Sequence, residues 1–205
     1  MKQAQAFMMP ARGQRGVTLV VVLMVLVIVT LVGVGGARIA LQGERSTRYD
    51  RDYLVASQAA EAALMDAEFD IRGPNTSGSS RVAQFSQDNM VIFETGCGSS
   101  ATTRGLCLPA PGTSKPAWLT VDYLDNSGTA KSVEFGTFTG RVFDAGSAGV
   151  KPERPPRYII EVIPNAQAGG DASKPSKMYR ITAIGFGPRK EVQVVMQIGF
   201  IKEKG

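Results

Sequence analysis

The sequence predicts an α+β protein. A long N-terminal helix, apolar all round in its lower half and amphipathic in its upper half, packs on an antiparallel sheet head. Three observations carry this reading. An uncharged run extends from Val17 to Ala37, the stretch after it repeats apolar side chains at spacings of three and four, and the C-terminal third alternates with period two.

The uncharged run holds 21 residues, relieved in polarity by two threonines. At about 1.5 Å per residue, such a helix covers roughly 30 Å, the hydrocarbon thickness of a bilayer. A secretory signal is the rival reading. It has a shorter apolar core, about 7–15 residues, and a small-x-small cleavage site, for which "GVGGA" at 33–37 passes. The continuation argues against it, because a discarded signal need not form half of another element.

That continuation, "RIALQGERSTRYDRDYLVASQAAEAALMDAEFDIRGP", contains no proline before Pro74. Tyr49, Tyr53, Ala56, Ala60, Ala63, Ala67 and Ile71 fall on one helical stripe with Leu64 beside it. Asp50, Arg51, Asp52, Glu61, Asp66 and Glu68 fall largely off it. "SQAAEAALMDAE" is rich in strong helix formers, and Gly73-Pro74 supplies a C′ glycine and a residue that cannot continue the helix. The two segments join as one helix over 17–72, roughly 80 Å of axis. Gly33, Gly35 and Gly36 admit two readings, close packing through small residues or a weak point where the helix kinks. Basic residues flank the run on both sides, so charge bias does not fix orientation.

From residue 73 to 205 the chain reads as a globular head. A long irregular connection with a short strand around Val91 to Phe93 leads to strand-like stretches at 117–124, 131–135, 157–163 and 178–186. Near the C-terminus, Val192, Val194, Met196, Ile198 and Phe200 line one face of a last strand. Strands in sequence with short connections favour an antiparallel meander, and the helix stripe is its partner. Cys97 and Cys107 bracket a Gly/Ser/Thr-rich loop. They are either a disulfide of an oxidising compartment or two separate buried thiols, and the loop-like composition favours the bridge. "LDNSGT" at 124–129 has oxygen side chains but lacks the alternate ligands and distant glutamate of a calcium loop, so it reads as a hairpin turn.

Composition narrows the function. The net charge of +5 owes three units to Lys2, Arg12 and Arg15, leaving 20 basic against 18 acidic side chains from residue 17 onward. That balance, without a basic stripe, argues against nucleic acid as a partner. Histidine is absent, which removes the commonest general base, the Ser-His and Cys-His pairs and the HExxH site. The expectation is a non-enzyme with no catalytic residues, no metal and no cofactor.

A basic leader without acids, ending in Gly16 ahead of "VTLVVVLMVLVIVTLVGV", resembles the class III signal of type IV pilins. With "SQAAEAALMDAE" and the C-terminal "YRITAIGFG" and "EVQVVMQ", the sequence is similar to PilX-type minor pilins. The resemblance implies a leader over 1–16 cut by a prepilin peptidase between Gly16 and Val17, N-methylation of Val17, and a helix with a transmembrane segment at 17–37. It implies a structural subunit that primes and caps a type IV pilus, residing in the bacterial inner membrane with its head in the periplasm before assembly. Other minor pilins, the major pilin, the inner-membrane assembly machinery and a tip adhesin are the implied partners. One departure matters. Pilins typically carry glutamate at the fifth residue after the cut, to meet the amine of a neighbour, whereas Val21 stands here. This weakens the methylation inference and resembles the tip pseudopilin of type II secretion systems, the alternative function. A plain membrane-anchored periplasmic protein is the third.

Overall fold

A computed structural model describes residues 16–85, 90–146, 148–165 and 176–202. The expected leader, apart from Gly16, lies outside the described residues. The chain divides into two units at Arg48/Tyr49, although a single helix, α1 (Val17–Arg72), runs through both. No break occurs at Gly33–Gly36. The helix stops where the sequence predicts. Gly73 takes φ +71° and its N–H bonds to Phe69 O at 2.8 Å, a left-handed cap that satisfies a terminal carbonyl.

In the second unit, Ala56, Ala60, Ala63, Ala67 and Ile71 are all fully buried, with Leu64 beside them. Tyr49 and Tyr53 depart from the predicted stripe: they stay 54% and 46% exposed. Tyr49 precedes the level of Asp52, where Gly187 and Arg189 meet the helix. A second departure is chemical. Asp52 and Asp66, expected off the packed face, are buried, as is Asp70.

The sheet has six strands: β1 (Glu94–Thr95), β2 (Leu106–Leu108), β3 (Val133–Glu134), β4 (Arg157–Asn165), β5 (Ser176–Phe186) and β6 (Gln193–Phe200). Strand order is β1-β2-β4-β5-β6, with β3 also pairing β4. The predicted meander is present as β4-β5-β6, antiparallel throughout. β1 and β2 add in parallel, however, so the sheet is mixed. The predicted strand at 117–124 is instead a helical turn, α2 (Ala117–Thr120), followed by irregular backbone. Ala117 and the C-cap Val121, four apart, are buried while Leu119 is exposed, a helical spacing, and Tyr123 is buried two residues beyond. The stretch 131–135 shrinks to β3, which pairs with β4 and closes no hairpin with 117–124. The short strand expected at Val91–Phe93 lies just beyond that stretch, at Glu94–Thr95.

Two apolar layers sandwich the sheet. On the helix side, Tyr158, Ile160, Val162, Tyr179, Ile181 and Ala183 pack against Ala63, Ala67 and Ile71, with Met196, Ile198 and Phe200 of β6 at the margin. On the opposite side, Ile159, Ile184 and Phe186 pack with Cys97, Cys107, Val121, Tyr123 and Trp118. Alanines on the helix and Gly185 on β5 set the approach: a Cβ at 185 would overlap Ala56 O and Ala60 N.

Candidate functional site: the stapled loop and the apolar helix segment

The stapled loop rests on the β1–β2 edge. Cys97 and Cys107 form a disulfide, both buried, as the loop composition predicts. Cys97 is the one non-glycine described residue at positive φ, 68°, in the left-handed region that ordinarily favours glycine. Inside the loop, Gly98 N–H bonds Leu106 O and Gly105 N–H bonds Gly98 O, each at 3.1 Å. Gly98 and Gly105 admit no side chain, since a Cβ would strike Thr103 and Val133 respectively.

A second clamp, which the sequence reading missed, holds the same loop. Arg81 is buried and donates from Nε to both carboxylate oxygens of Asp70 at 3.0 and 3.1 Å, and from Nη2 to Oδ2 at 2.6 Å. Its Nη1 reaches Thr102 O at 3.1 Å and Arg104 O at 2.7 Å, both within the loop. Tyr158 OH donates to Asp70 Oδ2 at 3.0 Å, and the guanidinium stands 3.7 Å from the Phe138 ring centroid. Burial, then the charge of Asp70, pushes the Tyr158 hydroxyl far above its usual pKa. A charge on the packed helix face is tolerable when paired and fully hydrogen-bonded. Asp66, one turn earlier, accepts from Gly136 N–H at 2.8 Å and from Thr139 Oγ1, so it gathers the 136–140 loop. Asp52 accepts from Arg189 Nε at 2.8 Å. The available signal was the i, i+4 spacing of Asp66 and Asp70 beside the alanine stripe.

The 124–129 segment behaves as a turn. Asp122 and Asp125 each accept a backbone N–H two residues on, from Leu124 and Ser127 at 2.8 Å. Arg157 donates to Asp125 O and to Asn126 Oδ1. These oxygens are engaged by the chain itself, and no metal-holding cluster occurs among the described residues.

The first unit presents a different surface. Every residue from Gly16 to Arg48 is exposed, and the helix is long and apolar enough to cross a membrane. Gly16 is a turn residue immediately before the helix, Val17 opens it at 64% exposed, and Val21 is likewise exposed. A Cβ on Gly16 meets nothing within 4 Å.

Comparison with known families covers both units. Residues 98–202 match the family described as type IV pilus assembly protein PilX C-term, and residues 15–64 match PilX N-terminal. The chain belongs to the PilX family. The N-terminal match takes in Gly16, the apolar segment and the alanine stripe as far as Leu64; the C-terminal match takes in the loop from Gly98, Cys107 and strands β2 to β6. No curated protein and no solved structure matches it. PilX membership places the chain among structural components of type IV pilus assembly. Its apolar helix is compatible with membrane anchoring and incorporation into a pilus.

Proposed function

We propose that this PilX-family chain is a minor pilin that primes assembly of a type IV pilus and caps it, in a tip complex with other minor pilins. Prepilin peptidase cuts between Gly16 and Val17. The apolar helix then waits in the inner membrane with the head in the periplasm, until the assembly machinery moves it into a bundle of like helices beneath the tip. The disulfide suits an oxidising compartment such as the periplasm.

Val21 is the observation that carries the tip position. An amine drawn into an apolar bundle needs a paired acceptor, and a valine offers none, so this subunit is suited to the top of the fibre rather than its shaft. Labelled protein is expected as sparse points at fibre ends, and loss of the protein is expected to lower pilus number far more than pilus diameter. Uniform labelling along fibres would overturn the tip position.

Processing has its own test. Gly16→Val is expected to leave the leader attached, read as a heavier mature chain by mass analysis. Because the position is open, the substitution disturbs no described packing, and the block is then assignable to the peptidase. An unchanged mature mass would sink the class III reading and favour a plain anchor. A type II secretion tip pseudopilin uses the same physics, but the matched family is one of type IV pilus assembly.

A further inference from the structure

We infer that Arg38 and Arg45 form a docking stripe for anionic phospholipid headgroups, which sets the depth of the helix in the membrane. The inference rests on residues 17–37 crossing the bilayer. Arg38 is the first charge after the apolar run, and Arg45 follows seven residues later, two turns on and on the same face.

Depth is the first argument. If Val17 to Ala37 fill the hydrocarbon layer, Arg38 stands at its edge and Arg45 about 10 Å further along the axis. The headgroup layer is roughly 5–8 Å thick on each side. Helical side chains lean toward the N-terminus, which here is the membrane end, so both guanidinium groups reach back toward the phosphates. Ile39 and Leu41, between them, are 71% and 60% exposed. Apolar side chains bare at this level fit the boundary between acyl chains and headgroups.

Charge is the second argument. Among the described residues, neither Arg38 nor Arg45 has an acid partner, whereas Arg48 is paired with Glu44 at 2.5 Å and Arg51 with Asp52 at 3.1 Å. Glu44 is the one acid between Val17 and Tyr49, and Arg48 neutralises it. The stripe therefore offers two unengaged guanidinium forks with no local repulsion of phosphate. Guanidinium matches a phosphate bidentately.

The test uses the full-length chain in nanodiscs containing equal phosphatidylglycerol and phosphatidylcholine. Native mass spectrometry reads the ratio of the two lipids retained on the protein. The two lipids share a phosphate and differ in net charge, so their ratio separates anionic attraction from simple phosphate contact. Each surface arginine is worth about fivefold in attraction to anionic lipid. The expected result is a clear phosphatidylglycerol excess for the natural chain, a ratio near one for R38Q/R45Q, and no change for R51Q. An equal ratio for the natural chain, or an equal loss in R51Q, would overturn the inference and leave these arginines to an acidic protein surface or to diffuse charge. Alkaline extraction of vesicles holding the same chain supplies the check beneath it. Release would overturn the membrane reading and this inference together; retention without lipid enrichment would overturn this inference alone.

Discussion

Three aspartates on one helix flank do three different jobs, and their partners are distant in sequence. Asp52, Asp66 and Asp70 meet Arg189, the Gly136/Thr139 loop and Arg81. A sequence reading sorts charged residues to the solvent side, and the one local signal, the i, i+4 spacing of Asp66 and Asp70, names no partner, because Asp66 and Asp52 bind residues 70 and 137 positions away. The alanines beside them were legible because small apolar residues at helical spacing need no partner to declare their face. Burial raises the pKa of Asp66 against the lowering pull of its two hydrogen bonds, and the nearby Asp70 raises it further. A folded pKa above the unfolded value means the folded state holds the proton more tightly, so this contribution is complete at low pH and is lost as pH rises through the folded pKa. Asp66→Asn keeps an oxygen for Gly136 N–H and is expected to flatten that pH dependence while holding or raising stability at pH 7. Asp66→Ala strands the buried Thr139 hydroxyl and the half-buried Gly136 N–H and should cost about 1–3 kcal/mol. Chemical unfolding of the detergent-solubilised chain at two pH values separates them; an Asn variant as damaged as the Ala variant would defeat this account. Arg81→Met leaves Asp70 charged and unpaired in the core, for an expected loss of about 3–5 kcal/mol.

At the scale of elements, the helix boundary, the last three strands and the bridged cysteines could be read in advance because each is encoded locally, in Gly73-Pro74, in period-two alternation, and in a loop too rich in small residues to rigidify itself. α2 and the parallel pair β1–β2 could not. β2 is three residues long and is a strand only because β4 lies beside it, Cys107 opposite Glu161; no local period announces such a segment. The close contact of helix and sheet makes a sharp prediction. Gly185→Ala drives a methyl into the backbone at Ala56 and Ala60, and rigid backbone cannot turn aside, so a loss of at least about 1–3 kcal/mol is expected. A thermal midpoint unchanged by this variant would mean the helix rides further from the sheet than described. The loop carries two independent restraints, the disulfide and Arg81. Cys97→Ser with Cys107→Ser opens a ring whose cysteines are ten residues apart. The expected cost is about 2–3 kcal/mol, smaller than that of Arg81→Met, because the guanidinium still pins Thr102 and Arg104.

For the whole molecule, the division at Arg48/Tyr49 follows burial: every described residue before it is exposed, and burial begins just after it, at Asp52. The two units answer to different surroundings. The head is closed by its own aspartates, arginines and disulfide, whereas the segment from Val17 to Ala37 is bare along its whole length and is stable only in lipid or among other apolar helices. A bundle of such helices disfavours an unpaired charge, so on the tip proposal a single position decides whether a subunit is admitted once or repeatedly. That position is Val21. It is exposed on the helix, so Val21→Glu meets no clash within the chain, and the variant supplies the acceptor that a neighbour's amine requires. Labelled Val21→Glu protein is expected to spread from fibre ends into the shaft, with copy number per fibre rising several-fold, while head stability stays at that of the natural chain. Labelling that remains confined to fibre ends would show that the head, and not the missing carboxylate, keeps this subunit at the tip.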